Sequence, residues 1–302
     1  MTWLIVTIFA YFLLAAVALI DKYLLGGLIP SPKIYAFYVG MFGILVLILV
    51  PFGFLVIPEF SLILLALIAG IFRILAIFVF FTALWKFEVS RIVPAIGGLL
   101  PLFTFGLGYI FSCGKGSLSP NEIIAFVLLV SGSILITFEK KKTITRKSLQ
   151  ISALAAFLFA FSFVLSKFVY VEHPFLSGFI WIMIGSFLVA LLFFGSKEVR
   201  EEVFKKKKVL KRNTIGIFLS NQIMGGTAFV LQNWAIAMVP FGLLAVVFSL
   251  EGTKYIFLLV FAILFSSKFP KILKEQISGG IIFQKIAAVL LIGSGLTILA
   301  LT

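Results

Sequence analysis

The chain has 302 residues, of which 62% are hydrophobic and 12% charged, and its mean hydropathy is +1.24. Soluble domains carry about a quarter charged residues, and no core of this size could bury so much apolar surface, so a water-soluble globular fold is excluded. One cysteine, Cys113, and one histidine, His173, exclude an internal disulfide framework and the usual zinc spacings. The composition therefore predicts an all-α integral membrane protein without a metal site or cofactor.

Apolar runs long enough to cross a bilayer recur along the chain. A hydrocarbon core about 30 Å thick needs about 20 residues per helix, and a window of that length predicts ten spans. They lie near residues 2–21, 34–56, 61–84, 92–112, 122–138, 149–171, 175–195, 214–238, 241–266 and 282–301. The runs lack the strict alternation of membrane barrel strands, so we expect ten transmembrane helices.

The net charge of +14 comes mainly from basic residues between the apolar runs. The loops after spans one, three, five, seven and nine hold 20 lysines and arginines, and the opposite loops hold Lys115 alone. By the positive-inside rule, the basic loops are expected in the cytoplasm and both chain termini outside the cell membrane. The basic connectors at 140–147 and 197–212 are interpreted as topology determinants that contact anionic lipid headgroups, not nucleic acid.

The two halves of the chain share a sequence pattern. The matched segments are 16–25 with 161–170, Gly40 with Gly185, 83–101 with 234–252, and Ser131-Gly132 with Ser294-Gly295. A unit of five spans ends on the opposite side of the bilayer, so its second copy must be inverted, as in many secondary transporters. We predict inverted five-helix repeats at 1–138 and 149–302, joined by a basic connector at 139–148.

A family resemblance rests on the stretch from Ala83 to Leu102, on its twin from Trp234 to Gly252, and on the ten-span, two-copy layout. In these features the chain resembles the EamA-type family of the drug/metabolite transporter superfamily over nearly its whole length. The resemblance implies two five-helix repeats around a central cavity, moving small metabolites by alternating access. Members are often drawn with cytoplasmic termini, whereas the loop charges of this chain predict the reverse.

Charged residues inside the predicted spans are candidate functional groups, because a charge at mid-bilayer is costly. Arg73 lies near the middle of span three, and Glu251 and Lys254 lie three residues apart on one face of span nine. In one interpretation, Arg73 and Lys254 attract an anionic substrate group while Glu251 binds a coupling cation or balances charge. In the other, the three residues form a buried structural ion network.

Span eight adds a polar stripe. Its members repeat after eleven residues, which returns to within about 20° of the same helix face; they are Asn221, Gln222, Gln232 and Asn233. Such a stripe lines a cavity or forms hydrogen bonds between helices. Trp234 follows the stripe, and Trp181 and Tyr255 are candidate aromatic walls of the same substrate-binding cavity.

Three further polar residues have simple sequence interpretations. Lys167 and its twin Lys22 lie near the ends of their spans and are expected to snorkel to the headgroups, with a role in the cavity as the alternative. His173 is expected in a solvated loop.

Together these patterns predict a secondary transporter, not an enzyme, that moves a small polar or anionic metabolite, with amino acid export as one form. The sequence lacks the phosphate-binding motif GxxxxGKS and the hydrolase motifs GxSxG and HExxH. The alternative function is a non-transporting membrane scaffold or a lipid-modifying membrane enzyme.

Overall fold

The computed structural model describes residues 2–25, 31–87, 89–112, 118–137, 145–204, 212–265 and 279–301. Within these residues the secondary structure is helical throughout, with no strand, so the all-α class is confirmed there. Most of the basic runs, at 140–144 and 205–211, lie outside the described residues, as do Cys113 and Lys115.

The helices follow the predicted apolar runs. The first half contains α1 (Thr2–Leu25), α2 (Pro32–Gly43) continuing as a 3-10 helix (Ile44–Phe52), α3 (Phe60–Lys86), α4 (Val89–Phe111) and α5 (Pro120–Thr137). The second half contains α6 (Arg146–Glu172), α7 (Phe175–Phe194), a short α8 (Lys197–Phe204), α9 (Arg212–Met238), a 3-10 turn (Phe241–Leu243), α10 (Leu244–Ser249), α11 (Glu251–Phe265) and α12 (Gly279–Leu301).

Among the described residues, 7 helical stretches are long and apolar enough to cross a membrane. They are Thr2–Ile20, Pro32–Phe52, Phe60–Lys86, Arg146–Glu172, Phe175–Phe194, Phe241–Leu258 and Phe283–Leu301, and the apolar parts of α4 and α5 are shorter. Large apolar side chains cover the outside of the bundle; Ile48 is 72% exposed and Leu192 is 77% exposed. Such a surface suits lipid and not water, which is consistent with an α-helical membrane protein.

Two of the predicted spans are not single α-helices. In span two, the α-helix changes to a 3-10 helix at Ile44 and ends at Gly53, whose φ is +79°. Pro51 lies in this segment, where it has no N–H to donate and its ring crowds the preceding turn of an α-helix. Span nine is interrupted at Leu250, between α10 and α11.

Helices α5 and α12 pack against each other through two glycines. A methyl group on Gly132 would lie 2.6 Å from Ile292 Cγ1, and a methyl group on Gly295 would lie 2.8 Å from Leu129 Cγ. Each glycine therefore contacts the residue three positions before the other glycine. As the chain advances along α5, the residue that it contacts on α12 lies nearer to the start of α12. The two helices therefore run antiparallel and contact each other reciprocally.

The helix pairing also repeats when the two halves are exchanged. Helices α3 and α4 of the first half pack on α6 of the second half. In the same way, α9 and α11 of the second half pack on α1 of the first half. Three contacts join helices at equivalent places in the two halves, namely α2 with α7, α4 with α10, and α5 with α12. One difference stands out: α3 packs broadly on α7, a contact more extensive than any between α9 and α2. Helix α9 is therefore less enclosed than α3.

Candidate functional site

Arg73 lies at the centre of α3 with 8% of its surface exposed. Its Nη1 donates a hydrogen bond of 3.3 Å to Ser186 Oγ on α7. Its guanidinium carbon lies 4.2 Å from the ring centre of Phe229 on α9, a cation–π contact. The Nε donor is buried and has no hydrogen-bond partner among the described residues. Arg73 is thus a buried cation that makes one hydrogen bond, from Nη1, among the described residues.

A hydrogen-bonded pair contacts the backbone of Phe229. Tyr170 Oη on α6 donates to Asn233 Oδ1 at 2.9 Å, and Asn233 Nδ2 donates to the carbonyl oxygen of Phe229 at 2.9 Å. We call Arg73, Tyr170, Ser186, Phe229 and Asn233 the arginine cluster. It brings together α3 from the first half with α6, α7 and α9 from the second.

Glu251 and Lys254 form an ion pair on α11. Their side chains are 13% and 16% exposed, respectively. The Lys254 Nζ lies 5.1 Å from the ring centre of Tyr255, and the buried Tyr255 hydroxyl faces Gly97 of α4. We call Glu251, Lys254 and Tyr255 the ion-pair cluster; its two charges neutralise each other.

The interruption of span nine lies immediately before the ion-pair cluster. Carbonyl oxygens freed by the break accept hydrogen bonds from side chains: Tyr11 Oη reaches Val247 at 3.0 Å, and Ser133 Oγ reaches Ser249 at 3.2 Å. Thr253 Oγ1 bonds the carbonyl of Leu250 itself, at 2.7 Å. The break is therefore stabilised by hydroxyls from α1, α5 and α11, as interrupted membrane helices require.

Helix α9 lies between the two clusters. Asn233 belongs to the arginine cluster, while its neighbour Gln232 lies beside Tyr11, which is itself close to Glu251. Successive residues on a helix point about 100° apart, so one turn of α9 contacts the arginine cluster through Asn233 and the surroundings of Glu251 through Gln232. Sequence reasoning missed Tyr11 and Tyr170, because one tyrosine within an apolar run carries no distinguishing signal.

The remaining predicted site residues lie elsewhere on α9. Asn221 is buried and Gln222 is half-buried, about three turns before the Gln232 level. Trp234 is 44% exposed and shares an outward stripe with Ile223 and Val230. The structure thus brings Arg73 together with Asn233, and Glu251 with Lys254 and Tyr255, and it does not bring Trp234 to either cluster.

Lys167 does not snorkel. It is 3% exposed, and its Nζ donates to the carbonyl oxygens of Ile236, Ala237 and Val239 at 3.0, 3.1 and 2.5 Å. These are carbonyls at the C-terminal end of α9, where a helix leaves its last acceptors unsatisfied and a cation is favourable. The snorkelling prediction for Lys167 was therefore wrong, because tertiary packing of α6 on α9 supplies a partner that hydropathy does not reveal.

His173 contributes to a clasp that joins the end of span two to the start of α7. Ser177 Oγ donates to the carbonyl of Val56 at 2.9 Å and accepts from its N–H at 3.0 Å. Trp181 Nε1 donates to the same carbonyl at 3.1 Å, and His173 Nε2 lies 2.8 Å from Ser177 Oγ. His173 is half-buried, so the expected solvated loop residue is part of a contact between the two halves.

Among the described residues, no group of three or more histidine, cysteine, aspartate or glutamate side chains could hold a metal ion.

Comparison with known proteins supports the fold. No family profile and no curated protein sequence matches the chain, but 17 chains of solved structures match its fold. One crystal structure superposes with a TM-score of 0.69 over 98% of this chain and 97% of its own, at 15% sequence identity. At this identity the likeness concerns the fold alone, and it extends over both halves of the chain.

Proposed function

We propose that the chain is a secondary transporter of the cell membrane, with ten spans arranged as two inverted five-helix repeats. It moves a small polar or anionic metabolite by alternating access. The proposal includes membership of the EamA-type family.

The observation that carries the proposal is the reciprocal contact of α5 with α12. Gly132 and Gly295, which are matched in the sequence repeat, contact each other's helix at equivalent positions across an antiparallel crossing, as like surfaces related by a two-fold axis would. For helices that cross a bilayer, an axis relating an antiparallel pair lies in the membrane plane. Repeats related by such an axis have opposite topologies, as many secondary transporters do.

A second pair of helices supports the same symmetry. The clasp joins Val56, after span two, to Ser177 at the start of α7. At the other end of the pair, Lys33 at the start of α2 lies 3.5 Å from Glu198, after α7. Exchanging the halves converts one connection into the other, so α2 and α7 are tied at both ends.

The charged groups support transport more than a purely structural role. Arg73, Glu251 and Lys254 lie near the middle of their spans, where transporter sites are found, and the buried Nε of Arg73 has no hydrogen-bond partner among the described residues. In addition, α9 is less enclosed than its counterpart α3. Unequal surroundings of matched helices are expected of an inverted-repeat carrier that rests in one of two states.

Counterflow in proteoliposomes tests the proposal. Proteoliposomes that contain the purified protein are preloaded with a pool of amino acids, nucleosides and sugar derivatives, and uptake of each labelled solute from outside is measured. We expect one chemical class to be taken up, with at least a tenfold loss in Arg73→Gln and no loss in Arg200→Gln. Arg200 is the matched control because it is exposed on α8. Uptake no greater than that of empty liposomes for every solute would contradict the proposal.

A further inference from the structure

The strongest unexplained feature of the molecule is the uncompensated charge of Arg73. The ion pairs seen among the described residues are Lys33 with Glu198 and Lys254 with Glu251, and neither involves Arg73. Its hydrogen-bond partner, Ser186, is neutral and donates its own proton to the carbonyls of Gly70 or Ile182. A buried guanidinium without a counterion is costly, and an anionic partner would offset that cost.

We infer that Arg73 binds the carboxylate of a monoanionic substrate; this inference rests on the proposed function and names the class of substrate. The unpartnered Nε–H and an Nη2–H of the same guanidinium lie on one edge, and this edge is the fork that binds a carboxylate through two parallel hydrogen bonds. One face of the guanidinium is covered by Phe229, and the Nε on its edge makes no hydrogen bond among the described residues.

The surroundings of Arg73 favour one negative charge over two. Ser186, Asn233 and Tyr170 are neutral hydrogen-bonding groups, and Phe229 is apolar. A monocarboxylate brings the cluster to zero net charge, whereas a dianionic phosphate leaves one uncompensated negative charge in a buried site. The structure therefore assigns Arg73 to a carboxylate.

Lys254 is not part of this anion site. Its ammonium pairs with the Glu251 carboxylate on the same helix, so the ion-pair cluster has no positive charge to offer. An anion bound there would first have to displace Glu251. The sequence predicted that Arg73 and Lys254 both attract the substrate, and the geometry supports this role for Arg73 alone.

The placement of Arg73 also suits transport. The arginine cluster takes Arg73 from the first half and its other members from the second half. A carboxylate held between the halves changes their relative stability, which is the requirement for a ligand to shift a two-state equilibrium.

Binding is tested on the intact purified protein by thermal stability in detergent, with propionate and benzoate as probes and their amides, propionamide and benzamide, as uncharged controls. We expect a saturable rise in melting temperature with the carboxylates and none with the amides. The rise should disappear in Arg73→Gln and persist in Arg200→Gln. Inorganic phosphate is a further arm, and stabilisation by phosphate alone would overturn the assignment.

Arg73→Lys is the second variant, because it retains the charge if Arg73→Gln fails to fold. Lysine lacks the planar fork, so we expect at least a tenfold weaker apparent affinity for benzoate. Equal affinity would overturn the fork geometry. Counterflow separates the two proposals: transport of a solute without a carboxylate, unaffected by Arg73→Lys, overturns this inference and leaves the transporter function standing. Carboxylate stabilisation without counterflow of any solute supports the site and contradicts the transporter.

Discussion

Replacing Lys167 with methionine isolates the role of a buried ammonium at the end of α9. Methionine retains most of the apolar length of lysine but cannot donate to the carbonyls of Ile236, Ala237 and Val239. Lys167→Met therefore removes three hydrogen bonds and one charge, and it leaves the packing volume nearly unchanged. We expect it to lower the free energy of unfolding.

The size of the effect follows from two opposing contributions. Each buried carbonyl that loses its partner costs about 1–3 kcal/mol, and a cation in a partly buried site at a helix C-terminus contributes up to about 2 kcal/mol. Methionine also removes the desolvation penalty of a buried ammonium, which is several kcal/mol. Because three carbonyls depend on one ammonium, we expect the lost hydrogen bonds to cost more than the removed desolvation penalty returns. The free energy of unfolding of Lys167→Met should therefore fall by about 2–4 kcal/mol.

Unfolding titration in mixed detergent micelles measures this difference. The matched control is Lys197→Met, because Lys197 is exposed on α8 and surface substitutions usually change stability by less than about 0.5 kcal/mol. We also expect faster amide hydrogen exchange at the end of α9 in Lys167→Met. A variant as stable as the wild type, with unchanged exchange at Val239, would refute the reasoning.

Three further predictions concern other contacts. Gly132→Ala should destabilise the protein in the same titration, because its methyl group meets α12, whereas Gly106→Ala, with no atom within 4 Å, should not; equal stability of the two would contradict the crossing. A reporter inserted near Thr143 should be cytoplasmic and one fused after Thr302 extracytoplasmic, and the opposite result for both would refute the loop-charge topology. Ser177→Ala should speed hydrogen exchange at the Val56 amide measured by mass spectrometry, since it removes that amide's acceptor; an unchanged rate would show that the clasp does not protect it.

The sequence predicts the positions of the helices well because their lengths follow from hydropathy alone. The Ser-Gly pairs, matched in the sequence only as part of the repeat, contain Gly132 and Gly295 of the α5–α12 contact, since a small residue is needed where two helix backbones approach closely. Mid-span charge singled out Arg73, Glu251 and Lys254 in the sequence; the structure buries Arg73 and pairs Glu251 with Lys254, and their role in substrate binding stays a prediction.

Features that depend on contacts between distant segments could not be predicted. The break at Leu250 depends on hydroxyls of Tyr11 and Ser133, far away in sequence. Lys167 has the same sequence context as a snorkelling lysine. It caps a helix only because the end of α9 packs against it. Trp234 continued the polar stripe in sequence, but the rotation of α9 turns it outward.

The position of α9 has a thermodynamic consequence. Gln232 and Asn233 are adjacent residues on one rigid helix, so a movement of α9 that alters the arginine cluster also alters the surroundings of Tyr11 and Glu251. Linkage then requires reciprocity: if a carboxylate at Arg73 changes the affinity of Glu251 for a proton or a metal cation, that cation changes the affinity for the carboxylate by the same factor. In the proposed transporter, the sign of this one coupling free energy would decide between symport and antiport.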